Sequence, residues 1–179
     1  MASNDPIRVG VVGAGGNTTK LHIPGLQAQE GVEVVAVANR TVASGKKVAA
    51  SFGIDRVCES WEEIIDAPDI DAVCIGTWPY MHAPLTIAAI DAGKHVLCEA
   101  RMAMDAEEAQ AMLDASRMHP TLVAQIVPAP MSFPVDRTMT DLIAGGAIGD
   151  LIAIDARVTM GAFPQWDSPM HWRMDRNLS

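Results

Sequence analysis

Five short runs between Ile7 and Val127 are apolar on both faces, and segments of helical period separate them. They cover Ile7–Val12, Val32–Ala38, Ala72–Gly76, His95–Cys98 and Thr121–Val127. A strand with one wet face alternates apolar and polar residues, whereas these runs need cover on both sides. The intervening segments, 17–29, 42–52, 61–65, 83–92 and 105–118, supply that cover. Several carry their own boundary signals: Asp105 with Glu108 three residues on, Ser60 with Glu63, Pro84 in a first turn, and Gly53 and Gly93 past helix ends. Strand–helix alternation with short links predicts an α/β fold, a doubly wound parallel sheet.

The run Leu151–Met160 breaks this pattern. Ile152, Ile154, Ala156 and Val158 share one face, while Asp155, Arg157 and Thr159 share the other. This predicts a sheet covered on one side, the start of a second, α+β domain. Pro128, Pro130 and Pro134 mark the transition. The expected division is therefore residues 1–128 as the sheet domain, then 129–179 as a linker helix over 135–144 and the first strand of an incomplete domain.

Composition narrows the function classes. A net charge of -9 opposes general binding to phosphate backbones, so no nucleic-acid partner is expected. No apolar run is long enough to span a bilayer and the first residues carry no export signal, so a cytoplasmic protein without a membrane partner is expected. Cys58, Cys74 and Cys98 form no C-x-x-C pair and fit buried free thiols. Histidines 22, 82, 95, 119 and 171 show no metal-ligand spacing, so no metal is expected.

Gly13-Ala14-Gly15-Gly16-Asn17-Thr18 lies between the first strand and the first helix. It fits G-x-G-x-x-T. Gly13 permits a tight turn, Gly15 lets main chain approach a pyrophosphate, and the next helix offers unpaired N–H groups to the anion. Thr18 replaces the third glycine, so looser packing of helix on strand is expected. The other reading is an ordinary glycine-rich turn. Where a site for NAD(H) places a carboxylate on the ribose 2′-hydroxyl, this chain has Asn39, then Arg40 and Thr41. Arg40 can pair with a 2′-phosphate or stack on adenine, which favours NADP(H) over NAD(H). Alternatively, Arg40 is a solvated loop charge.

From Val73 the chain reads VCIGTWPYMHAPLTIAAIDAGKHVLCEARMAMDAEEA. Together with the glycine loop, this resembles the Gfo/Idh/MocA oxidoreductase family, which includes glucose-fructose oxidoreductase and inositol dehydrogenase. The block Ala92–Glu99 is the most specific part, followed by Thr77 with His82 five residues on. The resemblance implies that Thr77, Trp78 and Glu99 line the cofactor cleft. It also exposes departures. The family's E-K-P is Glu99-Ala100-Arg101, so the Lys that assists deprotonation of the substrate hydroxyl is absent from its usual position. Arg101 offers a cation that can stabilise an alkoxide but is a poor base. The family's T-P-N is Thr77-Trp78-Pro79, and Tyr80 becomes a pocket hydroxyl. Arg101 and His82 are the catalytic candidates. For His82, a structural capping role is equally open, and His22 is expected to be structural.

His171, Trp172 and Arg173 are the substrate-side candidates, with Tyr80. By resemblance they precede a glycine-rich turn and a helix bearing an Asp and a His, which usually supply acid–base chemistry. The chain thus reads as the truncated N-terminal portion of a family member that forms a homo-oligomer. The expected activity is hydride transfer between NAD(P)(H) and a sugar, polyol or related hydroxy compound. The alternatives are a non-catalytic dinucleotide-binding protein such as a redox sensor, and an inactive fragment.

Overall fold

The computed structural model describes residues 5–127, 135–155, 157, 169–170 and 172–178. Two compact units divide the chain, one of residues 1–127 with 172–179, the other of residues 128–171.

In the first unit six parallel strands form one sheet. β1 is Ile7–Val12, β2 Val32–Ala38, β3 Arg56–Cys58, β4 Ala72–Ile75, β5 His95–Cys98 and β6 Ala124–Ile126. Their order is β3-β2-β1-β4-β5-β6. The chain runs outward from β1 on one side, then returns to its other side, so β1 and β4 flank the crevice where a doubly wound sheet binds ligands. Helices cover both faces, as the apolar runs predict. α1 (Ile23–Gln27) and α2 (Val42–Phe52) lie over a core containing Val11, Ile23, Val37 and Val48. α3 (Glu62–Ile65), α4 (His82–Asp91) and α5 (Ala106–Met118) enclose a second core with Ile64, Ile75, Leu85, Ile90 and Met112.

Local chemistry explains most boundaries. Thr41 caps α2 by accepting from Ser44 N–H, and Gly53 ends it at φ 65°. Asp105 caps α5 through Glu108 N–H, as expected. Pro24 within the first helical segment predicts a late start or a kink, and α1 does start late, at Ile23. A π-helical turn, Thr18–His22, precedes α1, because Pro24 cannot donate to the turn before it and the helix widens instead. The capping box at Ser60 does not form: α3 starts one residue later, and the Glu63 carboxylate accepts from Glu59 N–H. β3 has no counterpart among the expected strands. Three residues with an Arg at one end are too short to register as a pattern.

Lys94, in the motif before β5, is buried and donates from Nζ to the carbonyls of Ala67 and Ile70, both at 2.7 Å. It ties the turn after α3 to the start of β5.

All three cysteines are free and buried. Burial pushes the thiols of Cys74 and Cys98 up to about 12 and raises that of Cys58 less. The native chain at pH 8 should therefore resist a thiol-alkylating reagent, and denaturant should release three reactive groups. Stoichiometric labelling of native protein on mixing would contradict this burial.

The second unit contributes α6, Asp136–Ala144, close to the expected helix. The strand expected over 151–160 is not formed over 151–155, and Ile152 is 95% exposed. A one-sided strand needs a neighbour to complete its hydrogen bonds, and no described strand pairs with this segment. The rest of that run falls largely outside the described residues, as does the Pro128–Pro134 transition. No helix among the described residues is long and apolar enough to cross a membrane.

Candidate dinucleotide cleft

A cleft of about 550 Å³ opens beyond the carboxyl ends of β1, β2 and β4. Gly13, Ala14 and Gly15 form one wall, Asn39, Arg40 and Thr41 a second, and Thr77, Trp78 and Tyr80 a third. A fourth wall, Glu59–Glu62, escaped the sequence reading because it follows the unrecognised strand β3.

The glycine loop is shaped by close approach. Gly13 has φ 83°, and a Cβ there would lie 2.6 Å from Thr77 N. Gly15 faces open space, so main chain is accessible beside it. Thr18 is not the loose fit expected. It is 1% exposed and donates from Oγ1 to the Gly13 carbonyl at 3.2 Å. The room comes from Gly76, where a Cβ would lie 1.9 Å from Thr18 Oγ1. The two positions have exchanged bulk, so Thr18 braces the loop from beneath instead of facing a ligand.

Asn39 is also engaged within the protein. Its Oδ1 accepts from Ala14 N–H at 2.7 Å, and its Nδ2 donates to Ser44 Oγ at 2.9 Å. The side chain where a ribose-binding carboxylate would stand instead ties the glycine loop to the cap of α2. Arg40, beside it, is exposed, with its guanidinium 5.4 Å from the Trp78 ring centre. Trp172 stacks on Trp78 at 5.7 Å and 14°, and Arg173 lies 4.4 Å from the Trp172 ring. His171 is outside the described residues.

Glu99 does not line this cleft. Its Oε1 accepts from Asn17 Nδ2 and contacts His22 Nε2 at 2.5 Å, and its Oε2 accepts from Ala100 N–H. Burial opposes the carboxylate charge, but the His22, Asn17 and Ala100 contacts outweigh it and lower the Glu99 pKa. The partnership of Glu99 with His22 could not be read from residues so distant in sequence. Gly16 and Arg101 are exposed, and neither lines the cleft.

His82 is fully buried. Nδ1 faces the Arg101 carbonyl at 2.6 Å, and Nε2 faces the Thr77 carbonyl at 3.0 Å. Both nitrogens are engaged by main chain, leaving neither for a substrate proton. Of the two readings open in the sequence, this geometry accords with a structural one in which His82 links the ends of β4 and β5.

These features fit a dinucleotide. Thr77 Oγ1 is buried without a hydrogen-bond partner, beside a glycine loop that a Cβ would obstruct. The capped N-terminus of α2 and Arg40 lie on the same wall, supplying positive potential for an anion.

Comparison with known proteins agrees with this geometry. The model of an oxidoreductase family with an NAD-binding Rossmann fold matches residues 7–125. An uncharacterised oxidoreductase of Rhizobium meliloti is 34% identical over 155 residues, covering 87% of this chain and 46% of its own. A 1,5-anhydro-D-fructose reductase of Ensifer adhaerens is 36% identical, covering 94% of this chain and 49% of its own. Among solved structures, a 3-ketoreductase from Actinomadura kijaniata in complex with NADP and TDP-benzene superimposes with a TM-score of 0.69 at 29% identity, over 82% of this chain and 44% of that one. The chain thus spans about half the length of these relatives.

Proposed function

Because the chain belongs to the Gfo/Idh/MocA oxidoreductase family, we propose that it is the dinucleotide-binding part of an NADP(H)-preferring oxidoreductase acting on a sugar, polyol or related hydroxy compound. The observation that carries this reading is the cradle at the β1–β4 crevice: the Gly13–Gly15 loop, the unpartnered Thr77 hydroxyl and the Arg40 wall around one cleft.

The residue roles follow from their surroundings. Gly15 presents main chain to a pyrophosphate. Arg40 receives a 2′-phosphate, with the Thr41 and Ser44 hydroxyls and the α2 N-terminus beside it. Asn39 leaves its charge-free amide where a carboxylate would repel that phosphate. Thr77 continues the cleft away from Arg40 toward the reacting end, where a bound nicotinamide would supply or accept hydride. Glu99, with Asn17 and His22, fixes the end of β5 beside it. Tyr80, Trp172 and Arg173 stand on the substrate side, and Arg101 supplies a cation for an alkoxide. Relatives named as a 1,5-anhydro-D-fructose reductase and a dTDP-sugar 3-reductase support a sugar, and one named as a trans-1,2-dihydrobenzene-1,2-diol dehydrogenase supports the wider class of hydroxy compounds.

Binding tests this directly. Calorimetric titration should give tighter binding of NADPH than NADH, and Arg40→Ala should weaken NADPH about tenfold while sparing NADH. Equal affinities in the unaltered chain would refute the preference, and no binding of either would refute the cleft assignment. Ala100 in place of the family's Lys favours one second reading, a dinucleotide sensor without turnover. Hydride transfer by the whole protein would dismiss it.

A further inference from the structure

We propose that Trp78 is a positioning residue that holds the Arg40 guanidinium in the cleft and thereby carries part of the discrimination for a 2′-phosphorylated dinucleotide. The inference rests on the Arg40 reading above and deepens it.

Arg40 is exposed at the end of β2, and a long cation there would sample many rotamers in water. Trp78 follows β4, on the opposite side of β1 in the sheet, yet its indole comes within 5.4 Å of the guanidinium. That distance lies within cation–π range. The indole is itself steadied by Trp172, stacked nearly parallel upon it. A flexible charge is thus tethered to an aromatic platform that a second aromatic supports. Preordering the cation reduces the entropy lost when it engages a phosphate.

The same spacing argues against Trp78 as a simple stacking wall for the base. A ring sandwiched between guanidinium and indole needs two stacking distances, roughly 7 Å in all, more than the observed gap. Trp78 therefore acts through Arg40, and its contribution must depend on both the 2′-phosphate and Arg40.

Calorimetric titrations of the 179-residue chain with NADPH and NADH separate the possibilities. Trp78→Ala should weaken NADPH about fivefold and change NADH less than about twofold. Trp78→Phe, which keeps a cation–π face, should retain most of the preference. In an Arg40→Ala background, Trp78→Ala should leave the NADPH-to-NADH ratio unchanged. Equal weakening of both dinucleotides by Trp78→Ala would overturn the proposal in favour of base stacking or a general structural role. A preference that survives Trp78→Ala intact would also overturn it, while leaving the Arg40 reading standing. If the unaltered chain shows no preference, the Arg40 reading fails first and this inference with it.

Discussion

Gly76→Ala is expected to destabilise the first unit by about 3 kcal/mol, more than most surface or helix substitutions. The new Cβ would lie 1.9 Å from Thr18 Oγ1, 2.7 Å from the Gly13 carbonyl and 3.1 Å from Thr18 Cβ. Two of these three contacts are with a buried side chain, and the third is with main chain in the glycine loop. Thr18→Ala removes the closest atom but not the carbonyl contact, so rescue should be partial. Denaturant unfolding should show the double variant more stable than the sum of the single losses by about 1 kcal/mol. Additive losses would mean that the two positions do not compete for the same space. Dinucleotide affinity should fall with Gly76→Ala, because relief requires movement of Gly13.

The second large effect is expected at Lys94. Replacement by Met preserves much of the apolar stem but leaves the Ala67 and Ile70 carbonyls without their donor. The Ala67 carbonyl keeps the Ile70 N–H at 3.3 Å, so one buried acceptor is left unpaired and a loss of about 1–3 kcal/mol is expected. The half-buried pair Arg8–Asp69, at 3.0 Å, offers a contrast. Asp69 keeps Arg56 at 3.1 Å when Arg8 is replaced, so the loss of this pair should register weakly. Thermal unfolding of Lys94→Met beside Arg8→Met would expose the difference. Near-equal midpoints would show that water reaches the carbonyls around Lys94 after all.

Several parts of this architecture were legible because their causes are local. β1, β2, β4 and β5 declare themselves by apolarity on both faces, and the cap Asp105 by Glu108 three places away. β3 was hidden because its pairing with β2 is a property of the sheet edge, not of Arg56–Cys58 alone. The same limit applies to the site. Gly13 and Arg40 could be recognised by spacing, whereas the use of Asn39 as a tie required knowing that Ala14 N–H would face it. His82 was ambiguous for the same reason. Its chemistry depends on two carbonyls, one five residues before it and one from the far end of β5. Thr18 misled because the compensating change lies across the fold at Gly76.

The central position of β1 has a consequence for how such a chain comes into being. During synthesis the glycine loop emerges well before its neighbours Gly76 and Thr77. β2 can tie the loop early, through the Ala38 carbonyl and the Asn39 side chain. Until β4 docks against β1, however, Gly76 and Thr77 do not press on Thr18 and Gly13, and chains ending before β4 would lack the crevice. A binding element translated early in this unit is therefore completed late, because parallel pairing with distant segments must precede its final shape.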